Sequence, residues 1–112
     1  MAAPNWDSLL RIVEHLPDPT MVIDVEGRIV AWNPEMERLT GVPKEAMLGR
    51  GGYAHSTPFY GFARPMLIDL VRRSDPEVES AYELFEKRGR SLFAEISAPA
   101  LRGGRGAYIW GT

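Results

Sequence analysis

The chain has two histidines, His15 and His55, and no cysteine. Without a thiol there is no thiolate metal site, no cysteine nucleophile, no thiol-linked chromophore and no disulfide scaffold. Glu95 with Glu83 or Asp24 would suit acid–base work, but no spacing forces any two of them together, and solvated strand positions explain them better. Gly49-Arg-Gly-Gly52 has the glycines of a phosphate cradle. It lacks the Lys-Ser/Thr pair and the preceding strand, so a turn accounts for it. Asn33 carries an amide that can do chemistry, yet Pro34 beside it points to helix capping. The richest stretch is Tyr53-Ala-His-Ser-Thr-Pro-Phe-Tyr60. Tyr53, His55, Ser56 and Tyr60 are its polar heads, and they are where a polar ligand would find hydrogen bonds. The plainer reading is that its aromatics anchor a long loop. No nucleophile–base pair or metal set stands out, which disfavours a stand-alone enzyme.

These residues sit in a chain of 112, enough for one modest core. Lys plus Arg is 13 and Asp plus Glu is 15, a net charge of −2. That balance lacks the basic excess of a nucleic-acid binder. The longest apolar run is four residues, far below the ~20 of a spanning helix, so no membrane contact is expected of this segment.

Asn5 can cap a helix over residues 6–16, whose Trp6, Leu9, Val13 and Leu16 make an apolar stripe. Residues 1–16 are read as this helix, and 17–112 as the domain proper. Residues 20–25 and 28–32 form a hairpin around Glu26-Gly27. Asn33 caps the next helix, which Gly41 closes. A short helical turn follows Pro43, and Pro65 opens a helix over 66–73. Three strands are expected over 78–87, 92–101 and 107–112. The order implies an α+β fold: one five-stranded antiparallel sheet, short helices on one face, and the N-terminal helix near the other. The last strand runs to the chain end, as expected of a piece of a longer protein.

Met21-Val-Ile-Asp-Val-Glu-Gly-Arg-Ile-Val-Ala-Trp-Asn-Pro-Glu-Met-Glu-Arg-Leu-Thr-Gly41 resembles the first hairpin and Asn-capped helix of a PAS domain. Val42-Pro-Lys-Glu-Ala-Met-Leu-Gly49 continues the pattern, and Glu95-Ile-Ser-Ala98 and Tyr108-Ile-Trp-Gly-Thr112 resemble the last two strands. The resemblance covers residues 16–112. It implies a cytoplasmic sensory input module of a larger signal-transduction protein, such as a sensor histidine kinase of a two-component system. Such a module is not an enzyme by itself. It would bind a small molecule between sheet and helices and signal by repacking of a homodimer or its helices to the output domain of the same chain. The alternative is a dimerisation module whose interior is filled by its own side chains.

The resemblance also constrains the cofactor, which stays unknown. The family's flavin-adduct and cysteine-linked chromophores both need a cysteine and are excluded. Haem is disfavoured, because His55 is the one histidine near the helical layer. Alternation places Leu92, Ala94, Ile96 and Ala98 on one strand face. By the family register Met21, Ile23, Tyr82, Leu84 and Ile109 join them, under Met36, Leu39, Leu67, Leu70 and Val71. Phe85, Phe93, Tyr108 and Trp110 then point away. That outer face is too aromatic to leave in water, so Trp6, Leu9, Leu10 and Val13 are expected to cover it, in their own chain or across a dimer.

Overall fold

The computed structural model describes residues 6–71 and 73–112, with Trp6 described by its backbone alone. The expected Asn5 cap and the Trp6 side chain therefore lie outside the described residues. The chain divides after Gly51 into two compact units.

The first unit carries helix α1 (Trp6–Glu14), strands β1 (Met21–Ile23) and β2 (Ile29–Trp32), and helix α2 (Pro34–Thr40). A 3-10 turn, Lys44–Ala46, follows. β1 and β2 pair antiparallel, Met21 opposite Trp32. The connection is longer than the two-residue turn expected at Glu26-Gly27. The Asp24 carboxylate accepts from the backbone N–H groups of Glu26 and Arg28, both at 2.9 Å, and Gly27 supplies a φ of +82°. Asn33 caps α2 as expected, with its Oδ1 accepting from Met36 N at 3.0 Å. Gly41, at φ +74°, returns its N–H to the Glu37 carbonyl and ends the helix. Ile29, Ala31, Trp32, Met36 and Met47 are buried. The Trp32 indole donates to the Val42 carbonyl at 3.0 Å, which keeps its polar edge satisfied. Lys44 pairs with Glu14, and that hydrogen bond raises its pKa.

The second unit opens with the 3-10 turn Ala54–Ser56 and helix α3 (Thr57–Tyr60). Residues Leu67–Val71 form another 3-10 turn, where the sequence pattern predicts an α-helix. Helix α4 is Pro76–Ser80, followed by strands β3 (Leu84–Arg88), β4 (Ser91–Ala98) and β5 (Ala107–Gly111). These pair in the order β3-β4-β5, antiparallel throughout. The mixture of short helices and antiparallel strands is as expected. The hydrogen-bonded ladders, however, are one sheet of two strands and one of three, rather than a single ladder of five.

One expected strand is corrected. Residues 78–80 of the predicted strand lie in helix α4, because Asp75 caps that helix, accepting from Glu77 N at 3.1 Å, and Pro76 fits its first turn. This delays the strand to Leu84 and sets its facing. Phe85 stands opposite Ala94 and packs into the apolar cluster of Leu70, Val78, Tyr82 and Ala94. Leu84 stands opposite Glu95 and is 37% exposed. Leu84 is therefore not a pocket residue and Phe85 is not on the outer face, the reverse of the expected placement.

Candidate functional site

The loop singled out for its polar heads is folded tightly within the second unit. The Ser56 hydroxyl donates to the Tyr53 carbonyl and accepts from Arg64 N, both at 2.8 Å, so one side chain closes the segment from 53 to 64. Ala100 N donates to the Phe59 carbonyl at 3.0 Å and ties α3 to the β4–β5 connection. Tyr53 is corrected as a lining residue: its ring is 42% exposed, because its backbone takes a left-handed φ of +62° before the 3-10 turn. It keeps an edge contact with His55, ring centroids 6.2 Å apart.

His55 is 0% exposed. Its Nε2 lies 2.9 Å from Oδ2 of Asp69, which is also buried. The same oxygen accepts from Met66 N at 2.9 Å. Asp69 was not among the expected site residues. Its signal is an acid inside the apolar run Met66-Leu-Ile-Asp-Leu-Val71, where a carboxylate is kept only with a partner. Among the described residues, His55 Nδ1 and Asp69 Oδ1 have no hydrogen-bond partner. Such groups cost about 1–3 kcal/mol each when left unpaired.

Tyr82 is buried in the same unit. It belongs to the core cluster with Leu70, against which Leu67, Leu92 and Ile96 also pack. Burial drives its phenol pKa well upward, with the neighbouring Tyr60 hydroxyl reinforcing the shift. Of the predicted lining residues, Leu67, Leu70, Tyr82 and Ile96 thus share one cluster, and Tyr60 adjoins it through Tyr82. Met21 and Ile23 are half-buried on β1, Met36 is buried and Leu39 half-buried on α2, all in the first unit.

The outer face of the three-stranded sheet carries Phe93, Tyr108 and Trp110, as alternation predicts. Phe93 stacks on Trp110 with centroids 5.9 Å apart, and the Arg88 guanidinium lies 4.5 Å from the Phe93 centroid. Trp110 is nevertheless 68% and Tyr108 57% exposed. The Tyr108 hydroxyl bonds Glu95 at 3.0 Å. Its phenol pKa is pushed up to about 12, first by desolvation of the hydroxyl end, then by hydrogen bonds to Glu95 and Glu83. The rest of the ring stays in water, so the effect is confined to that end. On α1, Leu9 is exposed, while Leu10 and Val13 are half-buried.

The family model described as PAS fold matches residues 8–112. The chain belongs to the PAS family. It is accordingly a module of the sensory and signalling class. Among curated proteins it is similar to phytochrome B of Glycine max, 27% identical over 92 residues, covering 80% of this chain and 8% of that protein. Phytochrome B-2 of the same plant is 38% identical over 42 residues, covering 38% of this chain and 4% of that protein. The PAS chain thus spans less than a tenth of the length of these relatives. No solved structure matches. Among the described residues of this PAS domain, no group of three or more His, Asp or Glu side chains is placed to hold a metal ion, and no helix is long and apolar enough to cross a membrane.

Proposed function

We propose that this PAS domain is the cytoplasmic input module of a larger signalling protein, with a sensor histidine kinase of a two-component system as the favoured context. It has no catalytic role of its own and binds no nucleic acid or membrane. In it a small molecule binds between sheet and helices. The observation that carries the reading is the buried His55–Asp69 pair, whose Nδ1 and Oδ1 have no hydrogen-bond partner among the described residues, with Asp69 next in sequence to Leu70 of an apolar cluster. A core needing only cohesion would replace them with apolar groups of like shape. Polar atoms set into an apolar wall are the usual composition of a ligand site. Binding would shift the population of helix packings and pass the change to the output domain.

The output surface in this reading is the aromatic outer face. Phe93, Tyr108 and Trp110 of one protomer would meet Trp6, Leu9, Leu10 and Val13 of another in a homodimer. The exposure of Trp110 and Tyr108 also favours the second reading, a dimerisation module without a ligand. A thermal-shift screen across a metabolite panel, run beside light scattering, separates the two. The sensory reading expects at least one compound to raise the Tm. A dimer with no shift from any compound supports the second reading, and a monomer at high concentration removes the dimer from both.

A further inference from the structure

Helix α1 is bound to the first unit in an unusual way. None of residues 7–14 is buried. Leu10 and Val13 are half-buried, while Leu9 is 44% and Ile12 59% exposed. A helix that hides so little apolar surface gains little from burial. Its attachment leans on polar ties at its C-terminal end. The Asn33 amide nitrogen donates to the Val13 carbonyl at 3.2 Å, and just beyond the helix to the Leu16 carbonyl at 3.4 Å and the Asp18 carbonyl at 2.8 Å. Glu14 pairs with Lys44.

Both ties are anchored on α2. Asn33 is its N-cap, with Oδ1 on Met36 N at 3.0 Å. Oδ1 and Nδ2 share one rigid amide plane, so a tilt of α2 that Oδ1 follows swings Nδ2 away from the α1 carbonyls. Lys44 lies beyond the far end of α2, and its backbone N–H donates to Glu37 Oε2 at 2.8 Å. Glu37 belongs to α2, so it sets where the Lys44 ammonium stands against Glu14. We propose that α1 is a releasable arm gated by α2, whose shift loosens the Asn33 and Lys44 ties together. Release would add Leu10 and Val13 to the exposed Leu9 and Ile12, leaving a helix apolar on most sides and ready for a partner. The coupling is a property of the chain without ligand, so it stands or falls apart from the sensory reading.

The test is native-state hydrogen exchange on the whole chain. Asn33→Asp keeps an oxygen for Met36 N but sets a carboxylate oxygen against the Val13, Leu16 and Asp18 carbonyls. It is expected to speed exchange of the α1 amides about tenfold relative to those of α2 and β2, as the loss of one buried tie would. Glu37→Ala touches α2 alone and keeps a good helix former, yet it is expected to speed α1 exchange about threefold. In a Lys44→Met background, Glu37→Ala is expected to add nothing, because its path to α1 runs through Lys44. Unchanged α1 exchange in Asn33→Asp overturns the proposal. Where Asn33→Asp loosens the whole first unit alike, Glu37→Ala decides. Faster exchange confined to α1 then upholds the gate, and α1 unchanged or loosened no more than its neighbours overturns it. An effect of Glu37→Ala that survives in the Lys44→Met background overturns the route through Lys44.

Discussion

Asn33 does more than its place before Pro34 announces. The cap on Met36 N is legible from Asn-Pro, but its other bonds come from residues far off in sequence. Its Oδ1 also accepts from Thr20 N at 2.9 Å, and its Nδ2 donates to the Asp18 carbonyl at 2.8 Å and the Val13 carbonyl at 3.2 Å. One buried amide therefore fixes the end of α1, the start of β1 and the start of α2. Asn33→Ala is expected to cost about 2–4 kcal/mol in urea unfolding, the sum of a lost cap and stranded backbone groups. His55 and Asp69 are the corresponding pair in the second unit, and their pairing was not legible: fourteen residues separate them, and no motif links a loop histidine to an acid in an apolar run. Asp69→Ala strands His55 in an apolar interior, and a loss of about 3–5 kcal/mol by the same measurement is expected. Tyr108 gives a pH prediction. Its folded pKa of about 12 lies above the ordinary phenol value of about 10, so the folded state holds the phenol proton more tightly. The stabilisation from that proton is full below about pH 10 and is lost as the pH rises toward 12. Ultraviolet titration of Glu95→Gln is expected to show this phenol ionising at lower pH, since an acceptor of the proton loses its charge; an unchanged titration curve contradicts the assignment.

At the scale of elements, the strand after α4 shows where pattern reading fails. Val78, Tyr82, Leu84 and Phe85 are strand-forming types, and their run reads as a strand from Val78. Asp75-Pro76 is the competing signal, and it prevails because a satisfied cap and a pre-set φ start a helix locally. With the strand delayed to Leu84, the facing of the next two residues depends on its register against β4, which alternation within one strand cannot supply. The register against β4 is testable. Phe85→Ala is expected to cost about 2–4 kcal/mol because Phe85 packs on the core cluster, whereas Leu84→Ala is expected to cost less than about 1 kcal/mol. Reversed magnitudes would return Leu84 to the inner face. The first hairpin and α2 were more legible because their determinants are local: β-branched alternation, Asn33-Pro34 and Gly41 each act within a few residues.

The whole domain combines two features that a merely cohesive fold has no need to keep. One is the buried His55–Asp69 pair, whose Nδ1 and Oδ1 have no hydrogen-bond partner among the described residues. The other is an aromatic sheet face, Phe93 stacked on Trp110, that stays open to water. In the proposed reading they are input and output: a ligand would complete the interior and a second protomer the exterior. If the proposed dimer forms, Trp110→Ala is expected to weaken it at least tenfold by sedimentation velocity while leaving the Tm of the monomer nearly unchanged, because the residue is mostly exposed. The absence of cysteine carries through to this scale, since no ligand can be held here through a thiol. Native mass spectrometry of the gently purified chain tests the central claim most directly. The account predicts a species heavier than the chain by one small molecule, released when the protein is denatured. A spectrum holding only the bare chain mass, repeated after incubation with the metabolite panel, would contradict it.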